Sequence, residues 1–185
     1  MLMSQLKQDL AYIKDVVENA DNDSCQPRAI FFLWAAIYLV GFSLIDLGGR
    51  YAGLFWMIAG PGGGIISYWL GHRWAMRSGR ASRRVGARHL LHWLGMVAAI
   101  FLSLPLLWSG AISSDVLAKI ILLISAFGLF TAGIYLVRPY MWVGLALAVC
   151  YLGSLMVTNL PWVAVGAVSG GAMMLIGLLG NRTAN

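Results

Sequence analysis

Six long apolar segments dominate the sequence and restrict what it can fold into. They lie at 29–47, 51–70, 90–108, 116–137, 140–157 and 161–179. A helix needs about 20 residues to cross a bilayer, whereas a strand of an outer-membrane barrel needs about half as many, alternating in polarity. The sequence therefore predicts an all-α, polytopic membrane domain over 29–182 with six transmembrane helices. The short connections between segments favour an up-down bundle.

The second segment concentrates glycine and proline at its centre, where residues 60–64 read Gly-Pro-Gly-Gly-Gly. Proline lacks an N–H and its ring clashes with the carbonyl four residues earlier. We therefore expect the helix to break here, and backbone groups freed in hydrocarbon must find other partners. Either another helix packs closely against this region, or the break lines a pore. The candidate packing or pore residues are Gly60, Pro61, Gly62, Gly63, Gly64 and Ser67.

The sixth segment repeats part of this pattern. Trp56 and Gly60 match Trp162 and Gly166 in spacing, and both segments end in Leu-Gly-x-Arg. Glycine-interrupted spans in corresponding positions point to a transporter-type site, although small residues four apart also let helices pack closely. Duplication of the first two spans as the last two is one explanation, and convergence on common membrane features is the other. The corresponding candidate residues are Gly166, Ser169, Gly170 and Gly171.

Residues 1–28 precede the first apolar segment and are mostly polar. Apolar residues recur there at alternating spacings of four and three, which is typical of an amphipathic helix over residues 1–20, and a polar hinge follows. The acidic polar face suits an anionic lipid surface badly, because helices on such surfaces are usually rich in Lys and Arg. We expect a cytoplasmic helix that either folds back on its own bundle or contacts a second copy or a partner protein. Its contact residues are Leu6, Leu10, Ile13 and Val17.

Lysine and arginine are distributed unevenly between the two sides of the predicted bundle. If the N-terminus is cytoplasmic, eleven of the 13 Lys and Arg residues lie inside, and only Arg50 and Lys119 lie outside. This pattern obeys the positive-inside rule with both termini cytoplasmic. The loop at 71–89 contains no acid, so we expect it to contact anionic lipid headgroups rather than nucleic acid. Its candidate headgroup ligands are Arg73, Arg77, Arg80, Arg83, Arg84 and Arg88.

Carboxylates inside membrane spans usually mark function, but this sequence has none at the centre of a span. Asp46 and Asp115 lie near the ends of spans, four residues before Arg50 and Lys119 respectively. Because residues four apart are neighbours on a helix surface, we expect both carboxylates to form ion pairs there. A proton- or sodium-coupled pump is therefore disfavoured.

Catalytic and metal-binding motifs are also missing from the sequence. His72, His89 and His92 lie near one another at the predicted cytoplasmic ends of spans two and three. They lack a nearby Cys or carboxylate to complete a metal site, and the surrounding arginines repel cations. We expect no metal, no other cofactor and no enzymatic activity.

The opening and the end of the chain resemble small uncharacterised six-span proteins of bacterial inner membranes. The resemblance rests on residues 6–13, Leu-Lys-Gln-Asp-Leu-Ala-Tyr-Ile, and on the final span at 162–182 with its paired glycines and terminal arginine. It implies a bacterial inner membrane and no particular activity.

Two functions fit these patterns. The first is a non-enzymatic assembly or accessory subunit that acts through helix–helix packing of its glycine-rich spans, with other copies or a second membrane subunit. The alternative is an oligomeric channel or facilitator for a small neutral or anionic solute, with the broken second span lining the path.

Overall fold

A computed structural model describes residues 5, 9, 10, 26–79, 83–157 and 161–179 of the chain. Within these ranges the fold is helical throughout, as the sequence predicts. The six long helices are α1 (Arg28–Leu47), α2 (Arg50–Arg77), α3 (Arg83–Trp108), α4 (Ser114–Tyr135), α5 (Pro139–Met156) and α6 (Trp162–Leu179).

Five of these helices, all except α2, are long and apolar enough to cross a membrane. This finding is consistent with an integral membrane protein. Helix α2 is long enough, at 28 residues, but its glycines and Pro61 dilute the apolar side chains. The sequence predicts a sixth span over this helix, but its hydropathy alone does not support that span.

The prediction of a helix break in the second segment is wrong. Helix α2 continues through Pro61 and the flanking glycines from Arg50 to Arg77 without interruption. A proline removes only one backbone donor, and an apolar environment favours keeping every other intrahelical hydrogen bond. A path lined by a broken second span therefore has no basis in this structure.

Helical structure also extends into the region expected to be a loop. Helix α2 runs to Arg77 and α3 begins at Arg83, so most of residues 71–89 are helical. Their arginines and alanines are good helix formers, and a glycine with positive φ, Gly79, follows the end of α2.

The helices pack in the spatial order α2, α1, α6, α5, α4, α3, and each packs closely with its neighbours in that order. Consecutive helices are therefore neighbours except for α2 and α3, the first and last helices of this order, which make no close backbone contact with each other within the described residues. The core lies along the four middle helices, where Leu122, Val143, Leu147, Val165 and Met173 are fully buried.

Glycines bring the middle helices close together. A Cβ atom added to Gly170 of α6 would lie 2.9 Å from the carbonyl oxygen of Ala35 on α1. One added to Gly144 of α5 would lie 2.7 Å from the carbonyl oxygen of Ala126 on α4. Small residues at such positions allow backbones to approach closely in membrane helix pairs.

Of the two predicted ion pairs, one is present and the other is not. Lys119 and Asp115 pair at 2.8 Å. Asp46 instead accepts a hydrogen bond of 2.9 Å from the backbone N–H of Val163, and Arg50 donates to the Tyr51 hydroxyl at 2.7 Å. The first-turn N–H groups of α6 have no partner within their own helix, so a carboxylate at the end of α1 satisfies one of them.

Candidate helix-packing surface on α2

Helix α2 packs against α1 in antiparallel fashion along one side. Trp56 lies against Gly41 near one end of this contact, and Gly63 lies against Ile37 near its middle. The indole Nε1 of Trp34 donates a 3.0 Å hydrogen bond to the Ser67 hydroxyl. This inner side of α2 therefore contains two of the predicted candidate residues, Gly63 and Ser67, and both contact α1.

A second side of α2 contains glycines with open space beside them among the described residues. A Cβ atom added to Gly53, Gly60 or Gly64 would meet no atom of another described residue within 4 Å. At 3.6 residues per turn, these three glycines lie within about 40° of one another around the helix axis and extend over about 17 Å. We call Gly53, Gly60 and Gly64 the glycine face.

Gly62 provides a useful contrast with the glycine face. An added Cβ there would also meet no atom within 4 Å, but the residue lies about 160–180° around the helix from the face. Pro61 is exposed between the two sides. The four glycines that are close in sequence thus have different surroundings. Gly63 packs against α1, Gly60 and Gly64 belong to the glycine face, and Gly62 lies on the opposite side of the helix.

Little else in the described chain covers α2. Its only helical neighbour there is α1, and its buried residues are Ala52 and Gly63. A large apolar side chain flanks the glycine face, because Met57 lies within about 60° of all three glycines around the helix and is 68% exposed. A helix with one neighbour and an apolar, glycine-lined outer surface is suited to contact with another membrane helix.

The candidate residues of the sixth span differ from those of the second because they pack inside the chain. Gly166 and Gly170 lie against α1, and Ser169 is fully buried, donating to the carbonyl of Val165 at 2.7 Å. Only Gly171 has open space beside it. Among the described residues α2 thus has one neighbouring helix, α1, whereas α6 lies between α1 and α5.

Arginines gather at one end of the helix bundle, where α1, α3 and α5 begin and α2 and α4 end. The group, which we call the basic end, comprises Arg28, Arg73, Arg77, Arg83, Arg84, Arg88 and Arg138. Arg73 stacks over the Trp69 indole at 4.7 Å from the ring centroid, a cation–π geometry. Arg80, another predicted headgroup ligand, lies outside the described residues.

The predicted contact residues of the N-terminal helix fall almost entirely outside the described residues. Leu6, Ile13 and Val17 are not described, whereas Leu10 is helical and 59% exposed. The amphipathic helix over residues 1–20 therefore stays a prediction.

The three histidines are held by separate contacts. His72 stacks on Tyr68 within α2, Gln26 lies 3.5 Å from Nδ1 of His89, and Nδ1 of His92 contacts the Tyr135 hydroxyl. Among the described residues, no three His, Cys, Asp or Glu side chains are grouped as metal ligands would be.

A polar contact at the basic end was not foreseen from the sequence. The buried Tyr140 at the start of α5 donates a hydrogen bond to Oε1 of Gln26, which also approaches His89 on α3. Gln26 lies in the predicted hinge, where a single glutamine gives no signal of such a role. The contact fixes the position of Gln26 beside the start of α5.

Comparison with known proteins adds no relative: no family model matches the chain, and neither the curated proteins nor the solved structures contain a match.

Proposed function

We propose that this chain is a non-enzymatic assembly subunit of a bacterial inner membrane, which associates with a second copy of itself through the glycine face of α2. The observation that carries the proposal is that Gly53, Gly60 and Gly64 are aligned on one side of a helix, where an added Cβ atom would meet no described residue within 4 Å. In lipid, an uncovered glycine stripe exposes backbone without side-chain packing. A second helix on that stripe would gain close van der Waals contact.

The proposal includes six membrane spans with both termini cytoplasmic. Helix α2 follows α1 from Trp56, beside Gly41, to Gly71, whose added Cβ would lie 4.0 Å from Ile30. Because the two helices run side by side over this length, a membrane that α1 crosses would also enclose α2. The basic end, which contains seven of the described arginines, then faces the cytoplasm, as the positive-inside rule requires.

A second copy fits the surface because the contact is self-complementary. Two copies inserted in the same orientation bring their α2 helices together in parallel about a two-fold axis along the membrane normal. Gly60 and Gly64 have the small-xxx-small spacing that supports close parallel pairs of membrane helices. Symmetric pairing would cover the glycine face of both copies at once.

The test compares Gly64→Leu with Gly62→Leu by native mass spectrometry of protein extracted in mild detergent. The Cβ atom of neither leucine would meet a described residue within 4 Å, so both variants should fold, and leucine is a better helix former than glycine. We expect Gly64→Leu to weaken association about tenfold or more, which corresponds to about 1.4 kcal/mol, and Gly62→Leu to leave it unchanged.

A wild-type protein that is monomeric, or two variants that associate equally, would refute the proposal. A stable complex with a different protein, lost in Gly64→Leu, would keep the glycine face but replace its occupant, and the claim of self-association would then be abandoned.

A further inference from the structure

The basic end holds an excess of positive charge that its own helices do not neutralise. From residue 24 onward the only acidic residues are Asp46 and Asp115, which lie at the last turn of α1 and the first turn of α4. Both therefore lie at the opposite end of the helix bundle from the seven arginines. Across the described residues, no carboxylate pairs with any arginine of the basic end.

One of these arginines has a specific need for an acceptor. Arg28 buries its Nη2 atom, and this nitrogen has no hydrogen-bond partner among the residues that the structure describes. A buried charged donor without a partner is costly. Its position at the first residue of α1 adds a further cost, since the N-terminus of a helix disfavours positive charge. A nearby carboxylate would remove both costs.

The sequence places the needed carboxylates immediately before Arg28. Five of the seven acidic residues of the chain lie among its first 23 residues, together with only two lysines. The acidic residues are Asp9, Asp15, Glu18, Asp21 and Asp23. The N-terminal segment and the basic end therefore have opposite charge.

The structure also places the residues that directly follow this segment. Gln26 contacts His89, the residue after Arg88 on α3, and Tyr140 at the start of α5. On the other side, Gly71 lies level with Ile30, which puts Arg28 near the height of Arg73 on the antiparallel α2. Gln26 thus lies beside the basic end of α3 and Arg28 beside that of α2, and these two helices make no close backbone contact with each other in the described part of the chain.

We infer that the acidic N-terminal segment, residues 1–25, docks across the basic end of its own chain, with its carboxylates on the arginines of α2 and α3. If its first 20 residues are helical, they extend about 30 Å, which is enough to cover the ends of several helices. The competing occupant is the anionic headgroup of a lipid, which the same arginines would also attract. The acidic segment has the advantage that it is tethered at Gln26, so that its local concentration is high. This inference does not depend on self-association through α2.

Disulfide cross-linking in the full-length protein tests the inference. The background carries Cys25→Ser and Cys150→Ser, and the reporter pair is Ala20→Cys with Ala87→Cys, an exposed position on α3 beside Arg88. The control pair joins Ala20→Cys with Ser109→Cys, an exposed position after the other end of α3. In phosphatidylcholine vesicles we expect the reporter pair to cross-link rapidly and the control pair to remain separate.

The electrostatic part of the inference is tested by changing the segment alone. Replacing Asp15, Glu18, Asp21 and Asp23 by the corresponding amides should slow cross-linking roughly tenfold, and salt at about 0.5 M should have a similar effect because it screens exposed charges. These substitutions lie outside the six long helices. We therefore expect the helix bundle to fold as in the wild-type protein, so that a change in the cross-linking rate reports on the segment. Combining Asp21→Arg and Asp23→Arg with Arg84→Asp and Arg88→Asp should restore the rate.

Equal cross-linking of the acidic and amide forms would overturn the inference, as would cross-linking of the control pair at the same rate. The measurement is then repeated in vesicles with one third phosphatidylglycerol. Retained cross-linking supports docking of the segment, whereas its loss would assign the basic end to lipid headgroups and overturn the inference.

Discussion

Single polar side chains in this protein connect helices that are distant in sequence. Asp46, at the end of α1, bonds to the backbone of Val163 on α6, and Trp34 of α1 bonds to Ser67 of α2. The sequence suggested a local partner for Asp46 because Arg50 is one helical turn away. The partner that the fold provides is 117 positions further along the chain, and a pattern within one helix contains no information about it.

The role of Asp46 as a cap for α6 predicts an order of stabilities. Asp46→Ala should lower the free energy of unfolding by about 1 kcal/mol, the typical loss for a removed capping acceptor. Asp46→Asn should retain most of the stability, because an amide oxygen also accepts the hydrogen bond. Thermal unfolding in detergent would measure both. If Arg50→Ala were as destabilising as Asp46→Ala, the ion pair rather than the cap would be the important contact.

At the scale of whole helices, glycine has two different uses that the sequence does not distinguish. In α6 it removes side chains from a contact with α1, whereas in α2 it leaves a surface open. The spacing of glycines is similar in both helices, so their different surroundings depend on the order in which the helices pack. The same limit explains the wrong expectation of a broken α2, which was based on residue composition without neighbours.

Adjacent glycines in α6 give a matched test of this distinction. Gly170→Ala introduces a Cβ that would lie 2.9 Å from the carbonyl oxygen of Ala35, whereas Gly171→Ala has open space. We expect Gly170→Ala to destabilise the protein by about 1–3 kcal/mol, as overpacking does. Gly171→Ala should be neutral or stabilising by up to about 1 kcal/mol through helix propensity. Denaturant unfolding of the two variants should therefore differ in the direction of the shift, and equal shifts would contradict the close packing of α6 on α1.

For the whole molecule, the existence of apolar helices could be predicted from the sequence because hydrophobic length is a local property. The order in which the helices pack could not, since α2 and α3 are joined by a short connection and yet make no close backbone contact with each other within the described residues. Nor could the sequence show which glycines stay uncovered. The sequence thus predicts the segment that contains the candidate surface. The side of α2 that stays uncovered can be identified only from the way in which α1 packs against it.

The proposed six-span topology has a direct consequence for the two sides of the membrane. With Cys25→Ser and Cys150→Ser, Ser78→Cys at the end of α2 should react with an impermeant thiol reagent only from the cytoplasm. Ser109→Cys, after α3, should react only from outside. Both positions are exposed. If α2 did not cross the membrane, the accessibility of both residues would be reversed.

The most direct test of the central claim is symmetric cross-linking of two copies through α2. In the same cysteine-free background, Gly60→Cys and Gly62→Cys each introduce one thiol near the middle of α2, where neither Cβ meets another described residue within 4 Å. Oxidation in native membranes should give a disulfide-linked dimer for Gly60→Cys and little or none for Gly62→Cys. Equal dimer yields, or a dimer from Gly62→Cys alone, would contradict assembly through the glycine face.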